Sequence, residues 1–174
     1  MITDLTRLLE NGSPDFGDTT LLEFSEYDLR PDIEHTVVNT NASVDLSLVV
    51  GTEHPDYKGC TWLELLGNPP GGPTAHLKRI RGRLSDLHRE PEYYLNSSKK
   101  DHWGFYLLNG EYFVSEGMHR TVVARFFLAC NDRPTIVHGV SVTQLFLRQK
   151  EAPEPPKNIW RRIFQKFSPT NKDR

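Results

Sequence analysis

The sequence is poor in cysteine and has no long apolar run. Its 174 residues include only two cysteines, Cys60 and Cys130. Two thiols form at most one disulfide and cannot build a disulfide framework or a zinc cluster. We expect both to be reduced, with Cys130 buried at a helix end. No apolar run approaches the roughly 20 residues of a membrane span. Residues 1–4 lack the basic and apolar regions of a signal peptide, so we expect a cytoplasmic protein with no transmembrane segment.

Charge is unevenly distributed along the chain. The formal net charge is −2, but residues 157–174 carry six basic side chains against one acidic one. That segment has a net charge of +5, which leaves −7 on residues 1–156. An acidic body argues against broad nucleic-acid binding by the core, because duplex binding depends on neutralising phosphates. Length and composition favour one folded domain, which we place at residues 1–150.

The C-terminal region has two parts with different composition. Residues 151–157 are rich in proline and predict an extended linker. Residues 158–174 predict a basic amphipathic helix and tail, with Ile159, Trp160 and Phe164 on the apolar side. Such a helix can dock on its own domain, lie on an anionic membrane, enter a partner protein's groove or contact nucleic acid. The sequence leaves these four alternatives open.

The most informative stretch runs from Trp103 to Ala129. Gly104–Leu108 and Glu111–Ser115 are apolar-rich runs separated by Asn109–Gly110, the dipeptide favoured in two-residue type I′ turns. This pattern predicts a β-hairpin. A dense apolar run without glycine or proline follows from Thr121 to Ala129 and is long enough for a buried helix. The chain therefore goes from a strand through a glycine corner into a helix.

The glycine corner has the features of an anion site. His119 and Arg120 fall in the first turn of the predicted helix, where backbone N–H groups have no intrahelical partner and the helix dipole is positive. Gly117 lets a ligand approach the backbone closely. Arg120 binds a phosphate or pairs with a carboxylate such as Glu116. His119 binds phosphate, transfers a proton near neutral pH, or is structural.

Three further residues near the corner complete the candidate site. Glu116 acts as a general base, associates with a metal, or complements the helix dipole, and we favour the last role. Lys99 and Lys100 either extend the anion site or belong to an exposed turn. We predict no dedicated metal site, since the acidic and histidine residues around His54 and His102 form pairs rather than sets of three converging ligands.

Segments outside the central stretch predict additional helices. Apolar spacing over residues 2–10 predicts a helix capped by Thr3 or Asp4. Thr61 and Glu64 form a capping-box pattern before a short helix, and residues 67–73 form a Gly/Pro loop. Residues 74–90 predict a helix with a buried leucine and isoleucine stripe. Its basic side chains, among them Arg79 and Arg83, either face solvent or reach a bound anion.

Further segments predict strands and one more helix. Residues 35–38 and 44–50 predict a second hairpin, with a turn at residues 39–43. Residues 135–140 predict a short strand. Residues 141–148 predict a helix, because Ser141 and Gln144 fit a capping box. Together the segments indicate an α+β fold, in which helices pack around a small mixed β-sheet.

The central stretch resembles the ParB/sulfiredoxin superfamily. The matching positions are Gly117, His119, Arg120 and Ala124, after the strand Tyr112–Val114. The resemblance covers roughly residues 74–147. It implies a ParB/sulfiredoxin-like α+β fold. It also implies that this corner binds a nucleoside triphosphate, ATP or CTP with Mg²⁺, through the backbone at Gly117 and Met118 and the side chains of His119 and Arg120.

Two departures from the family narrow the expected function. Met118 occupies the position of the sulfiredoxin catalytic cysteine, and a thioether cannot do that thiolate's chemistry. About 27 residues follow Leu147, too few for the helix-turn-helix domain of partition proteins. The first hypothesis is a nucleotide- or phosphate-binding domain, whose reaction, as an enzyme, is that of an NTPase or phosphotransferase. The alternatives are a Mg²⁺-dependent nuclease acting on DNA or RNA, and a non-catalytic module that docks through its C-terminal helix.

Overall fold

A mixed six-stranded β-sheet organises the protein. The structure, a computed structural model, describes residues 1–10 and 12–148. The strands are β1 (Leu22–Glu23), β2 (Ile33–Asp45), β3 (Val49–Thr52), β4 (Gly104–Leu108), β5 (Glu111–Glu116) and β6 (Ile136–Leu147). Their order across the sheet is β1-β3-β5-β4-β6-β2. The pairs β1–β3, β3–β5 and β4–β6 are parallel, and β4–β5 and β2–β6 are antiparallel.

Helices surround this sheet, so the predicted α+β class is confirmed. They are α1 (Leu5–Leu9), α2 (Glu26–Leu29), α3 (Trp62–Leu66), α4 (Ile80–Arg89) and α5 (Met118–Ala129). Short 3₁₀ segments lie at Asp15–Asp18, Arg30–Asp32, Leu46–Leu48 and Pro91–Tyr94. The alternation of side chains along β4 and β5 separates two clusters. Phe105 and Val114 join the main core with the helices, whereas Tyr106 and Phe113 join a smaller cluster with Phe24.

Three predictions that rest on local sequence signals are confirmed. Asp4 caps α1 through its side chain, and Thr61 and Glu64 form the complete capping box of α3. Asn109 and Gly110 have φ of 52° and 88°, the positive values that a type I′ turn needs. Helix α5 follows the hairpin as expected. The predicted helix at residues 74–90 begins later, at Ile80.

The helix predicted for residues 141–148 is wrong, since residues 141–147 belong to strand β6. The strand pairs with β4 on one side and with β2 on the other. Val140, Val142 and Leu145 are buried in it. The strand partners come from distant parts of the chain, and their hydrogen bonds outweigh a capping-box pattern that depends on two residues alone.

The hairpin predicted for residues 35–50 is also wrong. Strand β2 continues through residues 39–43, where a turn was predicted, and it pairs with β6 rather than with β3. Its register shifts between Asn39 and Ala42, so the polar residues there mark a β-bulge instead of a turn. The actual change of direction is the 3₁₀ segment Leu46–Leu48. Predictions for residues 151–157 and 158–174 lie outside the described residues.

Candidate anion-binding site

Gly117 makes the sharp corner between β5 and α5. Its φ is +84°, in the left-handed region, where a side chain is strained. A Cβ at this position would lie 2.9 Å from Cδ1 of Trp103 and 3.1 Å from the carbonyl oxygen of His102. Because no side chain caps the start of α5, the N–H groups of its first turn have no side-chain acceptor. The positive φ and the close Cβ contacts require a glycine at position 117. The positive end of the 12-residue helix α5 lies next to this glycine.

His119 places an unpaired nitrogen at this helix start. The residue is partly buried, and its Nε2 atom is inaccessible and has no hydrogen-bond partner. The imidazole meets the ring of Tyr57 edge-on, with 6.4 Å between centroids. Burial lowers the pKa of His119, and the nearby positive charges of Arg83, Arg79 and His54 lower it further. The neutral imidazole is thus favoured near neutral pH.

The surroundings of His119 are basic because two arginines of the α4 region come close to it. Arg79 is the residue before α4 and is exposed. Its guanidinium has no hydrogen-bond or ion-pair partner within residues 1–10 and 12–148. Arg83, one turn further on, is paired with Asp86 at 2.9 Å. Every charge that acts on the pKa of His119 is basic, which makes this a local concentration of positive potential.

Tyr57 and His54 are the other two residues beside His119. Their rings stack with centroids 4.2 Å apart. His54 is held by the turn after β3, where its backbone N–H donates to Oγ1 of Thr52 and its Nδ1 accepts from the N–H of Asp56. The side chains of Arg79, Arg83, His54, Tyr57 and His119 define the candidate anion site, together with the start of α5.

Sequence reasoning found only part of this site. It identified His119 and Gly117, and it raised the possibility that basic side chains of the α4 region reach an anion. It did not single out Tyr57, and it treated His54 as half of an unconvincing metal pair. The only available signal was the basic run that includes Arg79 and Arg83, since the distance to His119 depends on how α4 packs against α5.

Arg120 is directed into the protein. Its Nη1 donates to Oη of Tyr93 and to the carbonyl oxygen of Asp101, each at 2.8 Å, and its Nη2 donates to the carbonyl oxygen of His102. The guanidinium also lies over the ring of Trp103. These contacts tie the 101–103 loop to the first turn of α5. Arg120 therefore anchors this loop to α5. This role differs from the two that the sequence predicted, which are binding a phosphate and pairing with a carboxylate.

Lys100 is likewise bound by protein acceptors. It is 4% exposed, and its Nζ lies within hydrogen-bond distance of the carbonyl oxygens of Asn96, Ser98 and His138. Burial lowers the pKa of this lysine. Lys99 is exposed beside it. Lys100 thus links the loop at residues 96–100 to strand β6 and does not lie in an exposed turn.

The remaining predicted site residues lie at the corner itself. Glu116 pairs with His102, with 2.9 Å between Oε1 and Nδ1, and both side chains are exposed. Met118 is buried in the main core, so only its backbone can meet a ligand. Neither Glu116 nor Arg120 acts on the pKa of His119. Glu116 and Arg120 thus have partners in the protein, whereas Nε2 of His119 has none within the described residues.

The described residues contain neither a metal-ligand cluster nor a membrane-spanning helix. In residues 1–10 and 12–148, no group of three or more His, Cys, Asp or Glu side chains is arranged to hold a metal ion. No helix in the same residues has the length and apolar character needed to span a bilayer. Both cysteines are free thiols.

Comparison with protein-family models, curated proteins and solved structures finds no match to this chain. The resemblance to the ParB/sulfiredoxin superfamily therefore stays an expectation from the sequence motif of Gly117, His119, Arg120 and Ala124. Functional conclusions must come from the site.

Proposed function

We propose that the protein binds the phosphate group of a nucleotide at the start of α5. His119 and Arg79 supply side-chain donors, Arg83 adds positive charge, and the first N–H groups of the helix supply backbone donors. The observation that carries this proposal is the buried, unpartnered Nε2 of His119 among exclusively basic charges. A buried polar atom without a partner costs free energy, and a phosphate oxygen that reaches Nε2 when the covering side chains move aside would satisfy it.

Electrostatics favours an anion over a neutral ligand. Arg79, Arg83 and His54 each disfavour a positive charge on His119. A phosphate in their midst is attracted by all of these groups, and the helix N-terminus adds its partial positive charge. Mg²⁺ arrives with a triphosphate such as ATP or CTP rather than through a protein cage. This ligand is the one that the ParB/sulfiredoxin resemblance implies.

We further propose that any reaction at the site is phosphoryl transfer, as in an NTPase or phosphotransferase. The ring nitrogen of neutral His119 that does not donate to the phosphate can accept the proton of an attacking water or hydroxyl group. The two arginines would stabilise charge on the transferred phosphoryl group. No observation in the described residues favours the nuclease or the interaction module. Both depend partly on residues 158–174, which lie outside the described part.

A ligand panel tests the binding proposal. ATP, CTP, GTP and AMP are titrated, with and without Mg²⁺, while the thermal midpoint is followed. A ligand that binds the native state raises the midpoint with concentration. We expect a nucleoside triphosphate to do so, and Arg79→Gln to weaken its binding about tenfold through loss of a charge-assisted hydrogen bond.

Lys78→Gln is the matched control. It removes the same charge one position away, from a side chain that does not act on the pKa of His119. The proposal predicts that this variant retains nearly the wild-type affinity. It fails if no nucleotide raises the midpoint, or if Arg79→Gln and Lys78→Gln weaken binding equally.

A further inference from the structure

One face of the sheet carries a small apolar cluster, separate from the main core. Phe113, Tyr106 and Leu145 of the sheet pack there with Phe24. Of the described helices, only α2 contributes a residue to this cluster, and that residue is Leu29. This face is called the second face. Within the described residues it is therefore only partly covered.

Two aliphatic side chains remain exposed on the second face. Leu22 pairs with Gly51, and a Cβ on Gly51 would lie 2.7 Å from a phenylalanine ring of the cluster. Val38 and Tyr106 each pair with Thr143 and therefore share its face of the sheet. Leu22 and Val38 are 54% and 59% exposed. The apolar surface thus extends from β1 at one edge of the sheet to β2 at the other.

Carboxylates surround the second face. Burial raises the pKa of Tyr106, and the charges of Glu53 and Glu26 raise it further, while Arg30 opposes them. Burial and then the charge of Glu26 raise the pKa of Glu53, and no basic side chain in the described part acts on it. Glu111 pairs with a leucine of the cluster. An apolar surface with these carboxylates favours a partner that is apolar and basic.

The described chain ends beside this surface. Leu147, the last residue of β6, pairs with Ile33, which packs against the cluster. Thr143 lies four residues before Leu147, which is about 13 Å along the strand. Residues 149–157 reach up to about 30 Å when extended. The segment that begins at residue 158 can therefore reach the whole of the second face.

We propose that residues 158–167 of the same chain pack on the second face. Their sequence predicts an amphipathic helix, and its apolar side consists of Ile159, Trp160, Ile163, Phe164 and Phe167. The charged side chains of this segment are all basic: Arg161, Arg162 and Lys166. The apolar side covers Leu22, Val38 and the cluster between them, and the basic side chains lie near Glu53 and Glu111.

Two arguments favour this occupant over others. A short linker keeps the segment at a high effective concentration beside the face, which no separate molecule shares. A second copy that used its own second face would bring the same carboxylates, and an anionic membrane would repel them. Of the four alternatives that the sequence leaves open for the basic segment, docking on its own domain is the one selected.

Trp160 allows this docking to be measured in the full chain. The sequence has three tryptophans, and the other two, Trp62 and Trp103, are 2% and 1% exposed. Subtracting the emission of the Trp160→Phe variant isolates the signal of Trp160. We expect this signal to be blue-shifted. We also expect its acrylamide quenching constant to be at least about threefold below that of a free peptide of residues 157–174, as for a docked population of about two thirds.

Two substitutions should release the segment. Val38→Lys removes an apolar contact and places a positive charge opposite the basic segment. The docking equilibrium constant should then fall at least about tenfold, and quenching of Trp160 should approach that of the peptide. Phe164→Ser, a change outside the sheet, should have the same effect without altering the folded body.

Val37→Lys is the matched control. Val37 is 51% exposed and precedes Val38 in β2. It lies on the opposite face of the sheet, because Val37 and Leu107 both pair with Gln144 and Leu107 packs against the main core. This variant should keep the wild-type quenching of Trp160.

The predicted protection of Trp160 is independent of protein concentration and of lipid. Quenching as fast as that of the free peptide overturns the proposal. Protection that grows with concentration places the segment on a second copy, and protection that requires vesicles containing phosphatidylserine places it on a membrane. Either result overturns docking within one chain. Equal quenching in Val37→Lys and Val38→Lys overturns the second face as the docking surface.

Discussion

Arg120 donates a hydrogen bond of 2.8 Å to the phenolic oxygen of Tyr93, which lies 27 residues earlier in the chain. The same guanidinium binds the backbone carbonyls of Asp101 and His102. The start of α5 is thus held to two loops by one side chain. Arg120, which the sequence suggested as a phosphate ligand, instead holds the corner together through protein acceptors. His119 and Arg79 are the side chains that the proposed anion site uses.

Replacing Arg120 should therefore affect stability. Arg120→Ala removes the hydrogen bonds that this charged side chain donates, and we expect the free energy of unfolding to fall by about 2 kcal/mol. Urea denaturation measures this change. Arg7→Ala serves as control, since Arg7 is exposed on α1 and should cost less than about 0.5 kcal/mol. Unchanged stability of Arg120→Ala, combined with complete loss of nucleotide binding, would instead make Arg120 a ligand.

Gly117 should tolerate no side chain. Gly117→Ala imposes a positive φ on alanine and brings its Cβ within 2.9 Å of Trp103, so we expect a loss of about 1–3 kcal/mol. Gly82→Ala in α4 is the matched control, because a Cβ there meets nothing within 4 Å. It should stabilise the protein by about 0.5–1 kcal/mol through helix propensity. Equal effects of the two substitutions in thermal or urea unfolding would contradict this account.

Arg125 should contribute to stability through packing. It is 6% exposed in α5 and lies over the rings of Phe16 and Trp62, at 4.4 and 4.2 Å from their centroids. Its Nη1 also donates to the carbonyl oxygen of Val49. Burial lowers its pKa to about 10, so it is positively charged at neutral pH.

Arg125→Ala removes these contacts and leaves a cavity, and we expect a loss of about 3 kcal/mol in urea denaturation. Arg125→Met, which keeps much of the side-chain volume, should lose less. A larger loss for methionine than for alanine would show that charge and hydrogen bonding outweigh packing at this position.

His119 should make stability depend on pH. Because its pKa is lowered in the folded state, the unfolded chain binds the proton more readily. Stability from the neutral imidazole is present above the unfolded pKa of about 6.5 and is lost as pH falls below it. Wild-type protein should therefore lose stability relative to His119→Gln between about pH 7 and pH 5. A constant difference between the two proteins over this range would mean that the pKa of His119 is not lowered.

The features that could be predicted from the sequence have short-range causes. The Asn109–Gly110 turn, the Asp4 cap and the Thr61–Glu64 box each depend on residues within one turn of chain. Strands β2 and β6 depend on partners about 100 residues apart in sequence. The local pattern at Ser141 and Gln144 therefore predicted a helix where long-range pairing produces a strand.

The same distinction applies to the candidate site. Gly117 and His119 are identified by the change from a strand to a helix within a few residues. The hydrogen bonds of Arg120 and Lys100 depend on where carbonyl oxygens of nearby loops lie. No local sequence pattern predicts the conformation of those loops. Similarly, the proximity of Arg79 to His119 arises from the packing of α4 against α5. Residue types alone therefore suggested an anion site, but not which basic side chains remain free to form it.

The most direct test of the anion site is the pKa of His119, measured by NMR titration of its imidazole with and without ATP. An anion beside the ring stabilises the protonated form. The account predicts a low pKa in the free protein and a rise of at least about one unit with ATP, a rise that Arg79→Gln reduces. His88, at the far end of α4, serves as the internal control. A pKa of His119 that ATP leaves unchanged would contradict a phosphate site at the start of α5.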